Sequence, residues 1–325
     1  MHVFTNDWVE EMRRRYRDKP RHRQSLLYLI ATEAECEMLR TEIERFVADL
    51  PLHVQSKVIQ RFQSERNPWH TYHELVVGSL VKRRGLQIDD YEREWQVNGK
   101  RLTPDWVVST SDGSKSIIVE VFTQNVSDKE AQRNAQLVDL TWRFGEIRVD
   151  AVLKISFKSK DRSFDSRRNK KIAVELKRWL EGEDSKVGAR RCVEGLQFQV
   201  INRNRGFSRI QWVGFSESSG PNPAPLRNNL VEKVKTYGKL VSRHDIPLVV
   251  AVVADIRTGC DLEEFENILL DHLFVERPEL SGAIWARKRQ GGNWEMKGFA
   301  NPCACLPMCP ELATALCGEK SELDS

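Results

Sequence analysis

The chain has 325 residues, which at ordinary domain sizes predicts about two domains, or one large α/β domain with an appendage. Hydrophobic residues make up 40% of it and charged residues 30%, which excludes a disordered, collagen-like or disulfide-stapled description of the whole. Lys and Arg number 51 against 47 Asp and Glu, so the net charge is only +4 and any basic function must be local.

Residues 1 to about 66 are dense in helix formers, with apolar residues at helical spacing in Leu26–Ile30 and again at Met38, Leu39, Ile43, Phe46 and Val47. This predicts a helical N-terminal element, 1–66, punctuated by Pro51 and by Asn67-Pro68. A further helix is predicted from near Trp69 to a stop at Gly85, and it carries Glu74. From Tyr91 the period turns from helical to alternating, and Asn98-Gly99 and Asp112-Gly113 are two hairpin signals between three strands. A helix over Asp128–Phe144, a strand over Val149–Phe157 and a helix over Arg167–Leu180 are expected next. Phe198–Ile201 and Arg209–Phe215 then read as strands and Leu226–Leu240 as a helix. Pro247–Ala254 reads as a strand buried on both faces, and Gly282–Arg287 as a late strand. The main domain is expected to span 67–300, with 301–325 as a cysteine-containing tail.

The longest apolar run, Ile246–Ala254, contains Pro247 and is about half of what a bilayer span needs. No membrane segment is expected. The N-terminus turns acidic and then basic without an apolar stretch, unlike a secretory signal, so the expected compartment is the cytoplasm. Seven cysteines, three of them isolated, suit reduced thiols better than a disulfide framework.

The informative stretch runs from Thr103-Pro104-Asp105-Trp106 through the Asp112-Gly113 turn to Val119-Glu120-Val121-Phe122. If Asp112-Gly113 is a two-residue loop, residues pair whenever their numbers sum to 225, and Asp105 faces Glu120. Directly opposed residues share a face with Cβ atoms roughly 5 Å apart. Two carboxylates so close repel each other unless a cation lies between them. Hard oxygen donors suit Mg²⁺ or Mn²⁺ better than zinc, and the usual task of such an ion is to activate water at a phosphodiester. Glu74 is a candidate third carboxylate. The competing reading takes Asp105 as a turn residue after Pro104 and Glu120 as one tolerated polar residue in a strand.

At these residues the sequence resembles the PD-(D/E)XK nuclease superfamily. The likeness rests on a helical glutamate (Glu74), Pro104-Asp105 at the second strand, Glu120 in the third, and an α-β-β-β-α-β order over about Trp69 to Phe157. It implies a restriction-endonuclease-like α/β fold, a mixed sheet flanked by helices, that hydrolyses DNA with Mg²⁺ or Mn²⁺ held by Asp105 and Glu120. RNA stays open as a substrate. For a bacterial enzyme of this kind it implies defence against foreign DNA. Looser landmarks, among them Glu120-Val121-Phe122-Thr123, Lys235-Thr236-Tyr237 and Ser281-Gly282-Ala283, resemble uncharacterised bacterial proteins with a nuclease-like core. One departure stands out: the superfamily's lysine falls two residues after the strand-three acid, where this chain has Phe122. Gln124, on the face of Glu120, and Lys154, if its strand is the parallel neighbour, are the candidates to replace it. The alternative is a core that binds nucleic acid or a partner protein without catalysis.

Between Lys154 and Lys171 there are eight basic residues and two acidic ones. Lys158, Lys160, Arg162, Arg167, Arg168, Lys170 and Lys171 are the candidate phosphate contacts, although charge runs are usually solvated faces. The N-terminal helices are expected to act as a sensor, a dimerisation element or a partner-docking surface. Cys303, Cys305, Cys309 and Cys317 lack the paired C-x2-C knuckles of common zinc sites, so zinc is the lesser reading. His70 and His73 read as packing or capping residues.

Overall fold

The computed structural model describes the chain except for residues 20–24, 65–67, 124–138, 142, 148, 158–165, 204–208, 213–222, 255–259, 290–291 and 319–325. In chain order the helices α1 (Asn6–Tyr16), α2 (Leu26–Thr32), α3 (Glu37–Ala48), α4 (Leu52–Gln63) and α5 (Pro68–Arg83) come first. The strands β1 (Gln87–Tyr91), β2 (Trp95–Val97), β3 (Lys100–Leu102), β4 (Trp106–Ser109), β5 (Ser116–Thr123) and β6 (Ala151–Phe157) follow. Then come α6 (Ser166–Leu180), β7 (Arg190–Val193), β8 (Leu196–Arg203), β9 (Arg209–Trp212), α7 (Pro223–His244) and β10 (Leu248–Ala254). The chain ends with α8 (Leu262–Ile268, continued by a π turn), β11 (Leu280–Lys288), β12 (Trp294–Ala300) and α9 (Pro310–Cys317). Among the described residues no helix is long and apolar enough to cross a membrane.

The chain divides into two compact units. The first comprises residues 1–17, 25–125 and 221–325, and the second residues 18–24 and 126–220. The expected segments 1–66, 67–300 and 301–325 cut across this division, because the N-terminal helices and the C-terminal residues both belong to the first unit.

The first unit is built on a six-stranded mixed sheet of order β1-β4-β5-β10-β11-β12. The strands β1, β4 and β5 form an antiparallel meander, β5, β10 and β11 run parallel, and β12 closes the edge antiparallel to β11. Strand alternation divides the core in two. Ile117, Val119 and Val121 of β5, with Val249, Ala251 and Val253 of β10, face the cluster that holds α2 to α5 and α9. Ile118 of β5 and Val250 and Val252 of β10 face the cluster that holds α7 and α8. Covered on both sides, β10 is apolar at every position, as a central parallel strand must be.

Three expectations change. The Asn98-Gly99 hairpin, with both residues at positive φ, joins β2 and β3 into a separate two-stranded ribbon, and the first strand of the meander is β1. The Asp112-Gly113 turn is a longer loop closed by Thr110 and Lys115, with the Asp112 carboxylate accepting from Thr110 Oγ1 and Ser114 N. Its even length still leaves Trp106 opposite Val119 and Val107 opposite Ile118, the pairing that sums to 225. Finally, β6 is not part of this sheet: the neighbours of β5 are β4 and β10.

The second unit has its own four-stranded sheet, β7-β8-β6-β9, and its own core. Ile172, Leu176 and Leu180 of α6 pack there with Leu153, Ile155, Phe198 and Val200. Residues 126–220 hold 20 Lys and Arg against 13 Asp and Glu, a larger positive excess than the whole chain carries.

Candidate active site

The end of the meander gathers the carboxylates. The register of β4 and β5 ends with Trp106 opposite Val119, and just beyond it Asp105 Oδ2 accepts the N–H of Val121, the residue after Glu120, at 2.7 Å. By alternation within β5 the Glu120 side chain lies on the α7 face of the sheet. There the ammonium of Lys233, on α7, donates to Glu120 Oε1. Glu120 is 1% exposed, and its other oxygen, Oε2, is buried with no hydrogen-bond partner among the described residues.

Glu74 comes from α5, which packs on the other face of the sheet, and its carboxyl is near enough to Asp105 for their charges to act on each other. Its helix is pinned by Trp106, whose indole N–H donates to the Glu74 carbonyl at 2.9 Å. Gly78 lets the ring in, since a Cβ there would sit 2.9 Å from Trp106 Cζ2. The Glu74 carboxyl is itself engaged, accepting from the Tyr91 hydroxyl.

The electrostatics follow from enclosing three acids with one amine. Burial, and then the nearby Asp105, push the Glu74 carboxyl up to about 8. Burial pushes Glu120 to about 7 against the pull of Lys233. Asp105 is partly exposed as a residue, but its carboxyl lies deep, and burial and Glu120 hold it well above the usual carboxylate range. Burial works to lower the Lys233 ammonium, yet Glu120, Asp105 and Glu74 outweigh it and the net movement is upward.

Two more basic side chains fringe the acids. Arg61, on α4, pairs with Glu92 at 3.6 Å, and the Glu92 N–H donates to the Asp105 carbonyl at 3.0 Å. His70, one turn before Glu74, is held below its ordinary pKa by burial and then by Lys233 and Arg61. His73 Nδ1 lies 3.0 Å from Thr123 Oγ1, on the other face of the sheet.

The candidates from sequence therefore separate. Asp105, Glu120 and Glu74 come together. Phe122 shares the α7 face with Glu120 and is packed among apolar residues. Lys154 sits on β6, in the sheet of the second unit, so the strand adjacency that would have brought it to Glu120 is absent. Gln124, Lys158, Lys160 and Arg162 lie outside the described residues. On α6, Arg167, Lys170 and Lys171 are exposed, while Arg168 pairs with Glu194 at 3.3 Å. Cys303 and Cys305 are exposed, and Cys309 and Cys317 are half-buried against the core. Sequence reasoning missed Lys233 and Arg61. The available signal for Lys233 was its place on the helix before the all-apolar strand, where a parallel crossover must pass the face of β5.

Among the described residues no group of three or more His, Cys, Asp and Glu side chains is arranged to hold a metal ion. Asp105 and Glu120 are the two carboxylates that could hold a cation. The unsatisfied Glu120 Oε2 fits such a role, because Mg²⁺ is commonly held by one or two carboxylates and completes its shell with water and substrate phosphate. Comparisons with protein-family models, with curated proteins and with solved structures find no match to this chain.

Proposed function

We propose that the protein is a metal-dependent nuclease that hydrolyses phosphodiester bonds of DNA on a restriction-endonuclease-like core. The observation that carries this reading is the closeness of Asp105 and Glu120, with a buried Glu120 oxygen unsatisfied and Lys233 beside it. The order α5, β1, β4, β5, α7, β10, with β10 parallel to β5, supports an α-β-β-β-α-β arrangement whose last helix and strand are α7 and β10 rather than the expected stretch ending at Phe157; β2 and β3 and the second unit interrupt it.

A Mg²⁺ or Mn²⁺ ion held by Asp105 and Glu120 would supply an activated water and a positive charge against the phosphate. The Val121 N–H fixes the Asp105 carboxyl, and Lys233 offers the cation that Phe122 does not. An ammonium placed where phosphate charge grows is the type of group whose removal costs catalysis most. Glu74, near 8, keeps its proton at neutral pH and steadies the acid cluster without adding a third charge. The basic excess of residues 126–220 supports a polyanionic substrate.

A non-catalytic nucleic-acid-binding protein on the same core is the second reading, and Phe122 favours it. The test is to incubate the protein with plasmid and linear DNA in Mg²⁺ or Mn²⁺. Cleavage that disappears in Asp105→Ala and Glu120→Ala, with DNA binding kept, supports the nuclease. Binding without cleavage under any divalent ion refutes it.

A further inference from the structure

The first turns of α5 carry a cluster of rings that the acid site does not use. Trp69 meets Tyr72 edge-on, with centroids 5.4 Å apart, and lies 6.1 Å from the His73 ring at a shallow 30°. Trp294, at the start of β12, closes the cluster at 6.2 Å from Tyr72 and 6.3 Å from His73. Its base is locked through Glu42. Oε2 of that residue accepts from Tyr72 Oη at 2.6 Å and from Lys288 Nζ at 2.7 Å, and Oε1 accepts from the Trp294 indole at 3.3 Å. The top is open, with Trp69 41% exposed. A large rigid ring held on one side and bare on the other is what a stacking surface needs, because ordering costs have been met in advance.

The position says what would stack. Trp69 and His73 occupy the helix stripe beside that of His70 and Glu74. Glu74 shares α5 with these rings, and His73 Nδ1 lies 3.0 Å from Thr123 Oγ1, three residues along β5 from Glu120, so the cluster borders the acid site.

We infer that Trp69, backed by Tyr72, His73 and Trp294, is a stacking platform for one nucleobase of a DNA strand next to the scissile phosphate. The inference rests on the nuclease reading. It makes the preferred substrate a single strand, or an end whose bases are unstacked, since a base inside a duplex has both faces covered by its neighbours.

The test reads binding apart from cleavage. A labelled single-stranded oligodeoxynucleotide is titrated in EDTA with wild type, Trp69→Ala and Trp69→Phe, and then with a set of oligonucleotides carrying one abasic site each. Trp69→Ala is expected to bind the intact strand roughly 10-fold more weakly and Trp69→Phe nearly as wild type, while the matching duplex is insensitive. One abasic position should weaken wild type by the same factor and leave Trp69→Ala unchanged. Equal affinities for wild type and Trp69→Ala, equal weakening at every abasic position, or no binding by wild type each overturn the platform. Cleavage of the same strand with Mn²⁺ reports on the nuclease reading alone: binding as expected with no cleavage sinks the enzyme and leaves the platform standing.

Discussion

Glu120→Gln isolates the cost of the acid site. The substitution replaces a carboxylate that is 1% exposed with a neutral side chain of the same shape. In the folded protein this carboxyl is raised from 4.5 to about 7, mainly by burial. The native state thus holds the proton more tightly than the unfolded chain, so the contribution to stability is full below pH 4.5 and is lost as pH rises through 7. At about 1.4 kcal/mol per pH unit, that interval is worth about 3 kcal/mol. Glutamine has no such dependence, and Asp105, released from its charged neighbour, relaxes in the same direction. Lys233 loses its partner in the variant, which adds an offset to the comparison. Urea unfolding in EDTA at a series of pH values should show the variant gaining about 3 kcal/mol on wild type between pH 4.5 and 8. A difference between the two proteins that is flat with pH would refute the assignment of a buried, proton-loaded acid.

Lys233→Met should lower DNA cleavage by about 10²- to 10³-fold while Mn²⁺ binding persists, and a wild-type rate in the variant would remove Lys233 from the chemistry. At 100 times its dissociation constant, Mn²⁺ should stabilise the protein by about 2.7 kcal/mol at pH 8 in thermal melts. That gain should shrink at pH 6, below the value of about 7 to which Glu120 is raised, and vanish in Asp105→Asn. Replacing Arg167, Lys170 and Lys171 with Gln should flatten the log–log salt dependence of DNA affinity by about 1 per residue that touches phosphate; an unchanged slope clears α6 of that role. Gly78→Ala puts a methyl 2.9 Å from the Trp106 ring and should cost about 1–3 kcal/mol in denaturant unfolding.

The acid pair was legible because it is local. Asp105 and Glu120 belong to one hairpin, and an even loop length keeps the pairing whether the turn has two residues or four. The helix of Glu74 was legible from its punctuation, with Pro68 at the start and Gly85, at φ +86, just beyond the end. Lys233 was not legible, for a topological reason. It lies 113 residues from Glu120, and nothing in a run of amphipathic helix marks one lysine as the one that faces the sheet. The sequence also invited the wrong neighbour, since Lys154 stands on the next strand in order and that strand pairs with β8 and β9. Arg61 was hidden because its pairing with Glu92 joins an N-terminal helix to the residue after β1, a contact with no periodic signature.

The interruption between β5 and α7 also sets an order of assembly. The meander and the N-terminal helices are continuous in sequence except at its start, so their contacts close over short loops, whereas β10 pairs with β5 only after residues 126–220 have been made. Long-range parallel pairing is the slow kind of contact, and chains fold from the N-terminus during synthesis. A nascent chain thus completes the stretch that carries Glu74, Asp105 and Glu120 well before Lys233 is made. Pulse-labelled hydrogen exchange during refolding should find β4 and β5 protected before β10 and β11. On the proposed nuclease reading, catalytic competence is then the last property the chain acquires.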